Sequence, residues 1–375
     1  MSQIRIAIGG DFCLSLSNKS LSSLHGTALL SHQADLWNSC DYRILNLECP
    51  ITDSEEAVPK SGPHLKSSLE TIRILLEMKV SGLCLANNHI MDFGSDGLDD
   101  TLTACRNAGI STVGAGKNGE QARIPLIEKI RGKKIAFLAM AEAEFSIADQ
   151  TTAGANPIDF ANIALVNKMS LENDAVVVIL HGGNEHLQYP RPGLLQLCRA
   201  LVDLGADAVI LQHSHCVGCF EEYHGKPIIY GQGNFIFPYS QREPTWYQGL
   251  TVVLTIEENK KPHLEFHPFQ QTLNHPGIKA LTSEQNALFL KDFEVRSKHL
   301  HQPNEYEKKW LQYCKKEGGD CLDMLFGLPR TSKRNFPIST WILKRILNPL
   351  KTQHMLTCES HREVLIQYIK SKFKG

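Results

Sequence analysis

The feature that most constrains this chain is a recurring unit: a short run of Val, Ile, Leu and Ala that stops at a glycine or polar turn and gives way to an amphipathic stretch. Such runs occupy residues 4–8, 42–47, 82–86, 134–140, 175–180, 208–211 and 227–230. They are too short for buried helices and rich in β-branched side chains, so they predict buried strands. Residues 68–79, 97–107, 163–172 and 193–204 carry helical periodicity between them, with Gly109 and Gly205 placed as C-terminal stops. This alternation predicts α/β layers.

Residues 250–256 and 263–267 flank a polar stretch and predict a hairpin at the end of a sheet. Strand signals then fade, and charged helical patterns take over at 283–293, 305–316 and 361–372. A boundary is expected near residue 275, dividing a domain of residues 1–275 from a mainly helical C-terminal region of residues 276–375. From Arg330 to Lys374, ten Lys and Arg face two acidic residues, with Trp341, Ile342, Ile346 and Leu350 interleaved. That tract leaves room for weak docking to a membrane surface or a protein.

Composition narrows the function classes. Thirty-nine basic and forty acidic residues give a net charge of -1, so no strong field draws the chain to nucleic acid. No apolar run approaches the ~20 residues of a membrane helix. The start, Met1-Ser2-Gln3-Ile4-Arg5, lacks the basic and apolar blocks of a signal peptide, so the expected location is cytoplasmic. Eleven cysteines, an odd number with one C-x-x-C pair at Cys216 and Cys219, predict reduced and mostly buried thiols.

Polar residues fall at one recurrent place. Asp11, Glu48, Asn88-His89, His181 and His213-x-His215 each follow an apolar strand run, where α/β sheets put their sites. Together they would converge oxygen and nitrogen donors of the kind that suit Mn, Fe or Zn without any thiolate. The segment Ala86-Asn87-Asn88-His89-Ile90-Met91-Asp92 is the most specific. Asn88 offers a neutral carbonyl oxygen to a metal, His89 can reach a leaving group, and Asp92 can hold the imidazole and raise its basicity. In Leu180-His181-Gly182-Gly183-Asn184-Glu185-His186, the glycines permit close backbone approach to a ligand, and Glu185 and His186 are candidate substrate-binding groups. His213 and His215, two apart in extended backbone, are expected to project to one side. Asn234, in the Gly-x-Gly-Asn turn after residues 227–230, is a candidate for the site wall.

In order, the motifs Gly-Asp, Asn-Leu-Glu, Ala-Asn-Asn-His-x-x-Asp-x-Gly, His-x-Gly-x-Glu, His-x-His and Tyr-x-x-Gly-Asn-Phe over residues 4–240 resemble those of the CapA family, proteins of capsule and poly-γ-glutamate biosynthesis. The resemblance implies a four-layer α/β/β/α sandwich of the metallophosphoesterase type, here with a C-terminal helical appendage. It implies Asp11, Glu48, Asn88, His181, His213 and His215 as ligands of one or two divalent metal ions, with His89 as general acid. Two positions depart from the broader phosphoesterase pattern: the usual Asp-x-His reads Asp11-Phe12-Cys13, and Gln212 replaces the usual glycine before His213.

The expected function is a CapA-like metal-dependent hydrolase of a phosphoester or related bond, acting on an anionic polymer or phosphoester substrate in capsule, polysaccharide or poly-γ-glutamate biosynthesis. The alternative is a non-catalytic, metal-containing component that binds or assembles such a polymer. His89 and Asp92 speak for catalysis, since a structural metal needs no protonatable group beside it.

Overall fold

The computed structural model describes residues 3–16, 18–239, 242–272, 275–325 and 349–373. Two sheets dominate it. The first runs, in spatial order, through Ile278–Lys279, His263–Gln271, Gln248–Ile256, Ile4–Phe12, Tyr42–Leu47, Gly82–Cys84 and Ser111–Val113, with Asn234–Ile236 pairing beside the end of Ile4–Phe12. The second runs through Phe220–Tyr223, Lys226–Ile229, Ala208–Gln212, Ala175–His181, Lys133–Ala141 and Leu126–Ile130. Both are parallel through their centres and antiparallel at an edge.

Strand alternation explains the layers. Ile6, Ile8, Tyr42 and Ile44 of the first sheet face Ile135, Phe137, Val177 and Ile179 of the second in one core, and the Tyr42 and Phe137 rings stack across it at 5.2 Å. The alternate residues of the second sheet, including Leu138, Val176, Val178 and Leu180, pack on Val166 and Met169 of helix Phe160–Glu172 and on Leu194 and Cys198 of helix Pro192–Asp203. Helices Glu70–Glu77 and Gly94–Asn107 bury Ile74, Leu75, Leu98 and Cys105 beside the first sheet. The result is the expected α/β/β/α sandwich. Each fully buried Leu, Ile or Phe contributes roughly 1.5–3 kcal/mol of transfer free energy, so a core closed on both faces of both sheets holds the strand ends in register. Gly109 and Gly205 do end helices, with φ of 71° and 107°.

Among the strands that escape the apolar-run signal are Ser111–Val113, Leu126–Ile130 and Phe220–Tyr223. These three lie at sheet edges and are partly exposed, so their residues alternate with polar ones instead of forming a continuous apolar run. A second difference matters more. The strand ends at Gln212, and His213 and His215 adopt φ of 91° and 52°. The two imidazoles are therefore aimed by a turn in sparsely populated backbone, not by strand alternation as expected, and such strain clusters at functional sites.

Helix Ser283–His299 opens with a capping box from Thr282 and Gln285 and sends Phe289 and Phe293 into the inter-sheet core. Helices Pro303–Leu325, Pro349–Thr357 and Glu359–Phe373 share a smaller apolar cluster of Trp310, Cys314, Met324, Met355, Val364 and Leu365, which also takes in Leu187. A buried ion network ties the last helix down: Arg191 pairs with Glu142 and Glu363, and Glu363 also accepts from the Gly193 amide at 3.0 Å. Residues 330–348 of the basic tract, including Trp341, Ile342 and Ile346, and Lys374 lie outside the described residues. Among the described residues, no helix is long and apolar enough to cross a membrane. All eleven cysteines are free and buried.

Candidate metal centre

Strand register brings the strand-end residues together. Asp11 stands opposite both Asn46 and Asn234, and His181 lies opposite Gln212 and Ala141. Six expected residues, Asp11, Glu48, Asn88, His181, His213 and His215, converge where the two sheets' C-terminal ends meet. Glu48, His181 and His213 form one group with donor atoms all within 4.8 Å, and Asp11, Glu48 and His215 form another. Asn88 joins the first, its Oδ1 lying 3.0 Å from His181 Nε2. Glu48 is common to both.

The carboxylates of the cluster are poorly satisfied. Glu48 is fully buried, and neither carboxylate oxygen has a hydrogen-bond partner. His181 Nε2 and His215 Nε2 approach Oε1 at 3.5 and 3.7 Å. Burial, and then Asp11, push the Glu48 carboxyl well above its ordinary range. Burial likewise raises Asp11 to about 6, against hydrogen bonds from the Asn46 amide (2.7 Å) and the His213 backbone N–H (3.1 Å). His181 is driven well below its ordinary value by burial and then by His213, and His215 falls to about 3, chiefly through burial. Unpartnered carboxylate oxygens beside imidazole nitrogens are a donor set that a divalent cation satisfies, and this set fits one.

The remaining candidates sit around this cluster. His89 Nδ1 lies 2.7 Å from Asp92 Oδ2, and Asp92 also accepts from the Leu65 amide. With Nδ1 held, His89 turns its other nitrogen to a cleft of about 600 Å³. Glu185 and His186 are at the rim, half exposed. Asn234 does not line this cleft. It is fully buried, with Oδ1 2.8 Å from His215 Nδ1 and its amide donating to the Trp246 carbonyl at 3.1 Å, so it fixes the His215 ring from behind. Cys13 is in the core, its thiol pushed far up by burial and by Cys49, and it belongs to neither donor group.

The motifs assign no role to several residues at the site. Asn46 links Asp11 to the Asn87 amide, and it was findable, since it shares a strand face with Glu48. Buried Lys60 pairs with Asp92 and lies 3.1 Å from His89 Nδ1. It comes from a loop without periodicity and gave no signal. Glu144 follows Lys133–Ala141 much as Glu48 follows its own strand. It accepts from Asn88 at 2.7 Å and lies 3.7 Å from His213 Nε2. Burial raises its carboxyl, but His213, His354 and His361 outweigh that and bring it down to about 2.

Comparison with known proteins agrees with the motif order. The family described as "Bacterial capsule synthesis protein PGA_cap" matches residues 5–239. "Capsule biosynthesis protein CapA" of Bacillus anthracis is 28% identical over 63% of this chain and 60% of its own length. "PGA biosynthesis protein CapA" of Bacillus subtilis is 31% identical over 56% of this chain and 57% of its own. A "Probable polyglutamine synthesis accessory protein" of Mycobacterium tuberculosis is 29% identical over 53% of this chain and 56% of its own. The chain thus spans less than two thirds of these relatives. Among solved structures, a 5'-nucleotidase from Candida albicans superposes with a TM-score of 0.42 at 10% identity, covering 72% of this chain and 52% of its own.

Proposed function

The chain belongs to the PGA_cap family of bacterial capsule synthesis proteins, and from that premise we propose that it is a metal-dependent hydrolase of a phosphoester or related bond in capsule, polysaccharide or poly-γ-glutamate biosynthesis. The observation that carries this reading is Glu48: a carboxylate buried without a hydrogen bond, shared by two groups of imidazole and carboxylate donors. Asp11, Glu48 and His215 would hold one cation, and Glu48, His181, His213 and Asn88 a second, with Mn, Fe or Zn suiting the donors. Such a pair supplies an activated water and neutralises charge on the ester oxygens.

The chain's own residues do the rest. Asp92 holds His89 through Nδ1, leaving Nε2 to deliver a proton to the departing oxygen. Asn46 and the His213 backbone fix the Asp11 carboxylate, and Asn234 fixes His215. The cleft is lined by Lys60, Arg242, Lys316 and Lys351 and by Glu144, Glu185, Glu317 and Asp320, a charge-balanced surround that leaves recognition of an anionic group to the metal pair and to Arg242 and Lys351. The test is metal analysis of protein purified without chelators, followed by a panel of phosphoester and γ-glutamyl substrates. Metal together with turnover supports the hydrolase. Metal without turnover on any member of the panel makes the chain the polymer-binding component instead.

A further inference from the structure

A second set of donors lies outside the strand-end cluster, and two of its members come from the C-terminal helices. Helices Pro349–Thr357 and Glu359–Phe373 meet at Cys358, a corner with the spacing His354-x-x-x-Cys358-x-x-His361. The Cys358 amide donates to the His354 carbonyl at 3.0 Å, which fixes the turn of chain that joins them. The corner folds over Glu144 of the sandwich. Donor atoms of Glu144, His354 and His361 all lie within 4.8 Å of one another. The two imidazole rings meet edge to face at 4.6 Å, and Phe145 stacks on His354 at 4.4 Å, which limits how that ring can turn. Cys358 Sγ is 3.7 Å from Glu144 Oε1, while Glu144 Oε2 is already engaged by Asn88.

We infer that Glu144, His354 and His361 form a third metal position and that it takes a zinc-type divalent cation. Two imidazoles and a carboxylate make a three-ligand donor set of the kind zinc takes, with a fourth position left open. A cation would engage the two imidazoles and the carboxylate at once. Its ligands come from both sides of the cleft, so it would clamp the helical corner to the sandwich. Through Glu144 it would adjoin His213, 3.7 Å away. The position uses residues that the hydrolase reading does not assign, and it stands whether or not that reading does.

The full chain, stripped of metal and reloaded with excess Zn²⁺, is compared with the double variant His354→Asn/His361→Asn by elemental analysis after desalting. The variant is expected to hold one equivalent fewer per chain, and equal stoichiometry overturns the proposal. If the variant fails to fold, anomalous diffraction at the zinc edge from the unaltered chain decides: a peak among Glu144, His354 and His361 supports the site, and a map without one there overturns it. Glu48→Gln separates the two readings. It is expected to reduce binding at the strand-end pair while leaving this equivalent in place, so either site can fail without the other.

Discussion

The strand-end cluster and the helical corner face the same cleft but are held there by different means. Asp11, His181 and their neighbours sit at fixed ladder positions, Asp11 against Asn46 and His181 against Gln212, so displacing one donor means breaking hydrogen bonds across a buried sheet. His354 and His361 belong to helices that reach the sandwich through Arg191, Glu142, Glu363 and one small apolar cluster. A site built from sheet register is preorganised before any ligand arrives. A site built across a docked element depends on the docking.

The largest effect expected from breaking this comparison is at His89, which belongs to the sandwich half yet is proposed to ligate nothing. His89→Ala should lower turnover by ~10²–10⁴-fold, with metal content unchanged by elemental analysis. Loss of metal in step with activity would make His89 a ligand.

Ending the chain after Gln302 removes the helical corner but keeps Phe289 and Phe293 in the inter-sheet core. That protein should unfold cooperatively and retain metal at the strand-end pair. Ending it after residue 275 strips those rings from the core and should cost several kcal/mol, at roughly 3–5 kcal/mol for each buried Phe lost. Thermal melts of the two truncations, side by side, show whether helix Ser283–His299 belongs to the sandwich.

Lys60 offers a smaller, sharper effect. Its ammonium neutralises Asp92, the group that holds His89. Lys60→Met should reduce turnover by about 10-fold with metal content unchanged, and unaltered turnover would sever Lys60 from the acid.

Smallest is a pH effect on the metal-free protein. Asp11 is raised from 3.8 to about 6 on folding, so its contribution to stability is complete below its unfolded value and is lost as pH rises through about 6. A bound cation would offset the cost that burial places on the charged carboxylate. The gain in melting temperature on adding metal should therefore widen between about pH 4 and pH 6, which a melting series with and without metal measures. A gain that stays flat or narrows there would place the cation away from Asp11.

The sandwich was largely legible because its strands are apolar on both faces and leave unbroken runs, as at Ala175–His181, with the functional residue at the end of each. The same rule missed Leu126–Ile130, where one exposed face interleaves Glu128 and Lys129. It also missed how His213 and His215 are aimed, since periodicity cannot report a left-handed turn at histidine. Asn46 and Glu144 obeyed the strand-end rule and could have been read from it. Lys60 could not, because a loop residue's partner depends on where the loop lands. His354 and His361 carried a visible spacing, but their partner Glu144 lies some two hundred residues away and only the fold brings it near.

The central claim is that Glu48 is held for a cation. The most direct measurement pairs metal content with the melting temperature of the metal-free protein, in the unaltered chain and in Glu48→Gln. The amide keeps the shape and removes the charge. The account predicts that Glu48→Gln loses metal from the strand-end pair while its metal-free form melts at least as high as the unaltered chain, because a buried unpaired carboxylate is gone. Undiminished metal content, or a metal-free variant that melts lower, would contradict it.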